Sequence, residues 1–204
     1  MNQKTSLLRL GAAVLAAAAL SGCAAIVVGG AVGTAMVVTD RRTAGTQLED
    51  QNIELKALTR IRESVGDRAH INTTSYNRLV LLTGEVQSEA DRSAVEQAIG
   101  RIEGVRSVVN ELGVMGASSM TARSNDTILT SKVKASFIDA KDLQAGALKV
   151  VTERGVVYLM GRVTEREANR ATDLARGVSG VQKVVKVFEM LTEAELASLG
   201  DQKK

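Results

Sequence analysis

Apolar side chains four apart, then on alternate positions, then four apart again, follow one another twice along this chain. Ile53, Ala57, Ile61 and Val65 mark one face of a helix in the first pass, and Leu129, Val133 and Phe137 do so in the second. Residues 71–75 and 148–152 then alternate as half-buried strands. Asn77-Arg78 and Arg154-Gly155 fit tight turns into second strands at 79–86 and 156–163. Residues 88–101 and 165–176 return to helical spacing with charged outer faces. Gly104 and Gly180 let the chain reverse into last strands at 105–112 and 181–190. The order α-β-β-α-β, twice, predicts an α+β fold. Each copy holds a three-stranded mixed sheet covered on one face by two helices.

The copies also match residue by residue. Leu79-Val-Leu-Leu-Thr-Gly84-Glu-Val86 returns 77 positions later as Val156-Val-Tyr-Leu-Met-Gly161-Arg-Val163. Gly104-Val105-Arg-Ser-Val108-Val109 returns 76 positions later as Gly180-Val181-Gln-Lys-Val184-Val185. Two modules follow, at 46–115 and 124–191, with a small-residue linker at 116–123 and a polar tail at 192–204. Asn125 or Asp126 is placed to cap the first helix of the second module.

What precedes the modules is of another kind. Residues 1–9 carry Lys4 and Arg9 and no acid, and residues 10–20 are apolar but shorter than the roughly 20 needed to span a bilayer. Leu20-Ser21-Gly22-Cys23 then matches the bacterial lipobox, which is cut before its cysteine. Residues 1–22 are therefore read as a signal peptide. Cys23 is the lipidation site, its thiol lipidated and its new amine acylated, with palmitate among the expected acyl chains. Several chains on one residue anchor firmly, at about 0.8 kcal/mol per buried CH₂, where one chain alone is marginal. Cys23 is the sole cysteine, so no disulfide competes for it. Residues 23–45 form a tether whose stretch 24–38 is apolar and uncharged, suited to lying near the bilayer or packing on a partner. Ala24 lacks the aspartate that retains such proteins in the inner membrane, which favours the periplasmic face of the outer membrane.

Removal of residues 1–22 leaves 182, enough for two small domains. There is no Trp, and aromatics are confined to Tyr76, Phe137, Tyr158 and Phe188, so the cores are aliphatic. A net charge of +3 is too mild for a polyanion binder, and basic residues without interleaved aromatics argue against nucleic acid. The charge is unevenly placed, however. Residues 46–112 hold eight Lys/Arg against eleven Asp/Glu, and residues 124–191 hold eleven against eight. An anionic leaflet repels the first module and attracts the second.

Catalytic motifs are missing. His70 is the sole histidine, read as a surface residue without a Cys partner for a metal site. Asp139 with Asp142, and Glu165 with Glu167, are better explained as capping and helix-dipole charges than as acid/base pairs. Gly84, Gly104, Gly161 and Gly180 recur at strand or turn positions and cradle no phosphate. The expectation is a protein that is not an enzyme and needs no metal or other cofactor.

One helix departs from the ordinary pattern. At 100° per residue, Ile128, Ala135 and Ile138 fall on a face opposite the inward stripe, with Ser131 between them and Lys132 and Lys134 at the edges. The matching helix of the first module shows Asp50, Glu54, Lys56, Arg60 and Glu63 outside its stripe, a solvated face. Apolar residues fringed by lysine suit insertion at a headgroup boundary, and they equally suit packing on the first module or on a partner protein.

The pattern Val-x-Leu-x-Gly-x-Val, a charged amphipathic helix, then Gly-Val-x-x-Val resembles the BON domain, and two copies behind a lipobox resemble the dual-BON lipoproteins. That resemblance covers nearly all of the mature chain. It implies an outer-membrane protein that binds anionic phospholipid, phosphatidylglycerol or cardiolipin, through the first helix of its second BON domain. Carried onto this sequence, the binding residues are Ile128, Ser131, Lys132, Lys134, Ala135 and Ile138. The family's helix carries Trp where this chain has Ile128, which keeps the position apolar. The resemblance also implies recruitment to the division site and support of envelope integrity. The alternative is a periplasmic adaptor or chaperone-like factor for envelope-assembly or cell-wall regulatory proteins.

Overall fold

A computed structural model describes residues 40–201. The signal peptide, Cys23 and the apolar stretch 24–38 lie outside the described residues. The first module contains α1 (Ala44–Val65), β1 (His70–Tyr76), β2 (Leu79–Val86), α2 (Glu89–Gly100), β3 (Ser107–Asn110) and β4 (Gly113–Val114). The second contains α3 (Met120–Asp139), β5 (Leu148–Glu153), β6 (Val156–Val163), α4 (Glu165–Arg176) and β7 (Lys183–Met190), and α5 (Glu193–Asp201) follows.

Each sheet is mixed, as the sequence predicts. β1 pairs antiparallel with β2, and β3 runs parallel to β2 on its other side; β5, β6 and β7 repeat this arrangement. The last strand of the first module is broken where the sequence predicts one run. Asn110 Oδ1 accepts from Leu112 N at 3.2 Å, which bends the chain before β4 rejoins β2.

Both hairpin turns have two central residues at positive φ: Asn77 (52°) with Arg78 (67°), and Arg154 (53°) with Gly155 (75°). This mirror-image turn matches the twist of the flanking strands but strains non-glycine residues. A buried aspartate from the first helix of each module offsets the strain. Asp50 accepts from Asn77 N and Arg78 N, each at 2.8 Å, and Asp126 accepts from Arg154 N and Gly155 N, each at 2.8 Å.

This corrects two readings. Asp126 is not a cap, and neither is Asn125: α3 starts inside the stretch read as linker, with Ser119 Oγ accepting from Ala122 N. Asp50 is not on a solvated face but buried, where Ser75 Oγ and Arg42 also bond it. α1 likewise begins inside the last residues of the predicted tether, capped by Thr43, and the tail read as polar contains α5.

Along β2, Val80, Leu82 and Val86 pack under α1 and α2, while Leu81 points the other way. Along β6, Val157 and Leu159 pack under α3 and α4, while Tyr158 and Met160 point away. Tyr76, Leu81, Tyr158, Met160 and Val187 form one buried cluster, so the helix-free faces of the two sheets pack on each other. The layers run helices, sheet, sheet, helices.

A polar rim surrounds this contact. Tyr76 OH donates to Ala147 O at 3.2 Å, Lys149 Nζ to Glu54 at 3.1 Å, and Asn77 Nδ2 and Arg106 Nη2 to Glu189 at 2.6 and 2.8 Å. Just before α1, Arg41 reaches Glu167 of α4. Both strands β2 and β6 are thus buried on two sides, which accounts for the continuous apolar stretches 79–82 and 156–160 that open them.

Candidate functional site

α3 presents the face that the helical wheel picks out. Leu129, Val133 and Phe137 are buried, while Ile128 is 55% and Ile138 52% exposed. Ser131, Lys132, Lys134 and Ala135 are exposed as well, so all six residues stand clear of the contact between modules. Among the described residues neither lysine enters an ion pair, whereas Arg154, Arg162 and Arg170 of the same module all do.

Because α3 begins at Met120, the face is longer than the sequence reading allowed. Met120, Ser124, Ile128, Ser131, Ala135 and Ile138 follow at intervals of three or four residues on one side of a 20-residue helix about 30 Å long. Met120 is 74% exposed. Its signal was available in Ser119, a good cap with an alanine-containing helical run behind it.

Beside the N-terminal half of this face lies a cleft of about 870 Å³. Ile128 and Lys132 stand on its α3 side, Ser118 on the connecting loop, Arg154 and Gly155 on the hairpin turn, and Gly180 opposite.

α1 carries Lys56, Arg60 and Glu63 exposed, as expected of a solvated face, but it also exposes an apolar stripe that was not expected. Leu48, Leu55 and Leu58 are each more than half exposed. Leu55 and Leu58 border a shallow groove with Gln51, Glu54 and Thr73, whose buried hydroxyl has no hydrogen-bond partner among the described residues. The stripe escaped sequence reading because its spacing of seven and three does not overlap the four-residue spacing of the inward face.

His70 is not a free surface residue either. It is half-buried, and its Nδ1 lies 3.1 Å from Glu85 Oε2. Glu85 also accepts from Ser118 N and from Arg154 Nη1, both at 3.1 Å. Burial pushes the Glu85 carboxyl up, but these donors outweigh it and hold it below the usual range. Across the contact Glu153 is pushed up, by burial first, against the pull of a hydrogen bond from Asn72 and with the Glu85 charge adding to the rise.

The α-β-β-α-β module with this mixed sheet occurs twice among the described residues. A family profile of the BON domain matches residues 49–116 and again 125–192, and the chain belongs to the BON-domain family. Among curated proteins, "Outer membrane lipoprotein DolP" of Haemophilus influenzae is 40% identical over 175 residues, covering 84% of this chain and 90% of that one. "21 kDa hemolysin" of Actinobacillus pleuropneumoniae is 31% identical, covering 73% and 78%. "Osmotically-inducible protein Y" of Escherichia coli is 30% identical, covering 69% and 72%.

Proposed function

We propose that this chain is a non-enzymatic lipoprotein, anchored through Cys23 in the outer membrane, whose second BON domain docks on anionic phospholipid through the outward face of α3. The observation that supports this most is the ridge of Met120, Ile128 and Ile138 with Lys132 and Lys134 beside it, neither lysine in an ion pair among the described residues. Apolar side chains enter the headgroup boundary and each lysine near an anionic surface adds roughly 1 kcal/mol. Ser131 and Ala135, being small, let the helix lie close. The anchor supplies residence at the membrane and α3 supplies lipid preference. The relative named as an outer-membrane lipoprotein supports the location. The family resemblance extends the reading to envelope integrity at the division site.

The test is sedimentation with vesicles of a chain lacking residues 1–23. Binding to phosphatidylglycerol or cardiolipin vesicles, weak binding to phosphatidylcholine and release by salt support the reading. Ile128→Asp with Ile138→Asp is expected to abolish binding while leaving the thermal transition in place. Indifference to lipid charge refutes it. The second reading, a protein-interaction adaptor, is favoured by the Leu48, Leu55 and Leu58 stripe, which lies on the acidic module where an anionic leaflet is unfavourable.

A further inference from the structure

We propose that His70, Glu85 and Glu153 form a divalent-cation site, of the zinc type, that joins the two BON domains. One ring nitrogen and one oxygen from each carboxylate all lie within 4.8 Å of one another. Ligand atoms about 2.0–2.2 Å from a tetrahedral zinc ion sit roughly 3.3–3.6 Å from one another, a spacing these side chains reach by small adjustments.

The three donors come from β1, β2 and β5, so each module contributes. Glu85 is 1% and Glu153 6% exposed, and two carboxylates buried this closely repel each other unless one of them holds a proton or a cation lies between them. Arg154 answers the charge on Glu85, yet among the described residues no cationic side chain bonds Glu153. Asn72 Nδ2 donates to its Oε2 at 2.8 Å, and its Oε1 has no hydrogen-bond partner among the described residues. A cleft of about 240 Å³ lined by His70, Asn72, Asp126, Thr130 and Glu153, with Arg123 also on its wall, gives an ion its way in and room for a water ligand.

The outer contacts are those a metal site uses. Ser118 N and Arg154 Nη1 hold Glu85, and Asn72 holds Glu153, so ligand orientation is fixed before the ion arrives. Imidazole with carboxylates suits zinc and its first-row neighbours over calcium or magnesium. The ion would staple one sheet to the other, at the end of the β1–β2 hairpin away from its turn.

Zn²⁺ titrated calorimetrically into the full-length protein in detergent, after removal of metal with EDTA, is expected to show one saturable site per chain and a higher thermal midpoint. Glu153→Gln keeps the shape and the Asn72 contact, and is expected to weaken uptake at least about 100-fold, as is His70→Ala. Co²⁺ in place of Zn²⁺ is expected to give a visible absorption band that both substitutions remove. Melting curves in EDTA identify a variant that has unfolded, in which case the isosteric Glu153→Gln decides. The absence of saturable uptake by the unaltered protein, or uptake that survives Glu153→Gln in a folded chain, overturns the proposal.

Discussion

Arg41 closes a two-pronged bond on Glu167 across 126 positions of sequence: Nη1 to Oε2 at 2.8 Å and Nη2 to Oε1 at 2.7 Å. Both side chains are buried, and Arg41 also donates to Arg162 O at 2.7 Å. Glu167 at the same time completes the capping box of α4 with Thr164. The residues leading into α1 are thereby fastened to the second domain, while the adjoining Arg42 bonds Asp50 and stacks over the Tyr76 ring of the first. The chain therefore arrives from its tether bound to both modules at once.

Removing Arg41 strands a buried carboxylate, so Arg41→Met is expected to lower stability by about 3 kcal/mol in chemical denaturation. The bonds from Arg41 are the main reason Glu167 is held below its ordinary value of 4.5. A carboxyl with a depressed folded pKa contributes stability that is complete above its unfolded value and is lost as pH falls through the folded one. The thermal midpoint is thus expected to drop below about pH 4.5 in the parent, and to drop less steeply in Arg41→Met. An unchanged slope means that the pair does not bear on folding.

The paired aspartates allow a comparison inside one molecule. Asp126→Ala removes two charge-assisted bonds to the Arg154-Gly155 turn and is expected to cost about 2–3 kcal/mol. Asp50→Ala loses the equivalent bonds and, in addition, those from Ser75 and Arg42, so it is expected to cost more. Hydrogen exchange at the two turns checks the order. Burial pushes Asp50 up, but hydrogen bonds from Ser75, Arg78, Arg42 and Asn77 outweigh it, so Asp50 adds a second loss of stability on acidification.

Much of this architecture was legible because local and tertiary demands agree. Period-two runs became strands, the Asn-Arg and Arg-Gly pairs became turns, and Leu129, Val133 and Phe137 became the buried face of α3. The contact between the sheets was written in the same letters but not distinguished: Leu81, Tyr158 and Met160 look like core in any strand, and only their direction assigns them to a second core. Asp50 and Asp126 misled for a physical reason. An acid in a helix reads as solvated or as a cap, whereas here backbone N–H groups from a turn tens of residues away satisfy it. His70 was misjudged for the same reason, since Glu85 and Glu153 come to it through strand pairing and domain packing, which no local spacing records.

Gly84 and Gly161 occupy equivalent positions opposite Ile71 and Leu148 in the two hairpins. A Cβ on Gly84 would meet His70 O at 2.1 Å, and one on Gly161 would meet Ala147 O at 2.5 Å. Backbone atoms cannot yield as a flexible side chain can, so Gly84→Ala and Gly161→Ala are each expected to cost at least about 2 kcal/mol. Gly100→Ala, where an added Cβ meets nothing within 4 Å, serves as the control and is expected to be neutral or slightly stabilising. Equal melting temperatures for all three would show that the hairpins can separate enough to admit a methyl group.

The exposed leucines of α1 separate the two functional readings. Leu48 and Leu55 lie seven apart and Leu58 three further, a spacing that brings them to one side of the helix, outside the buried Ile53 and Ala57. Leu55→Ser with Leu58→Ser removes apolar surface that faces solvent, so stability is expected to change by no more than about 0.5 kcal/mol. If α3 is the lipid-docking face, this variant binds phosphatidylglycerol vesicles as the parent does, because the acidic first module adds nothing to attraction for an anionic surface. Ile128→Asp, by contrast, loses binding. Should the leucine variant lose vesicle binding and the Ile128 variant retain it, the membrane-facing side of the protein is the first domain, and the lysines of α3 serve a different contact.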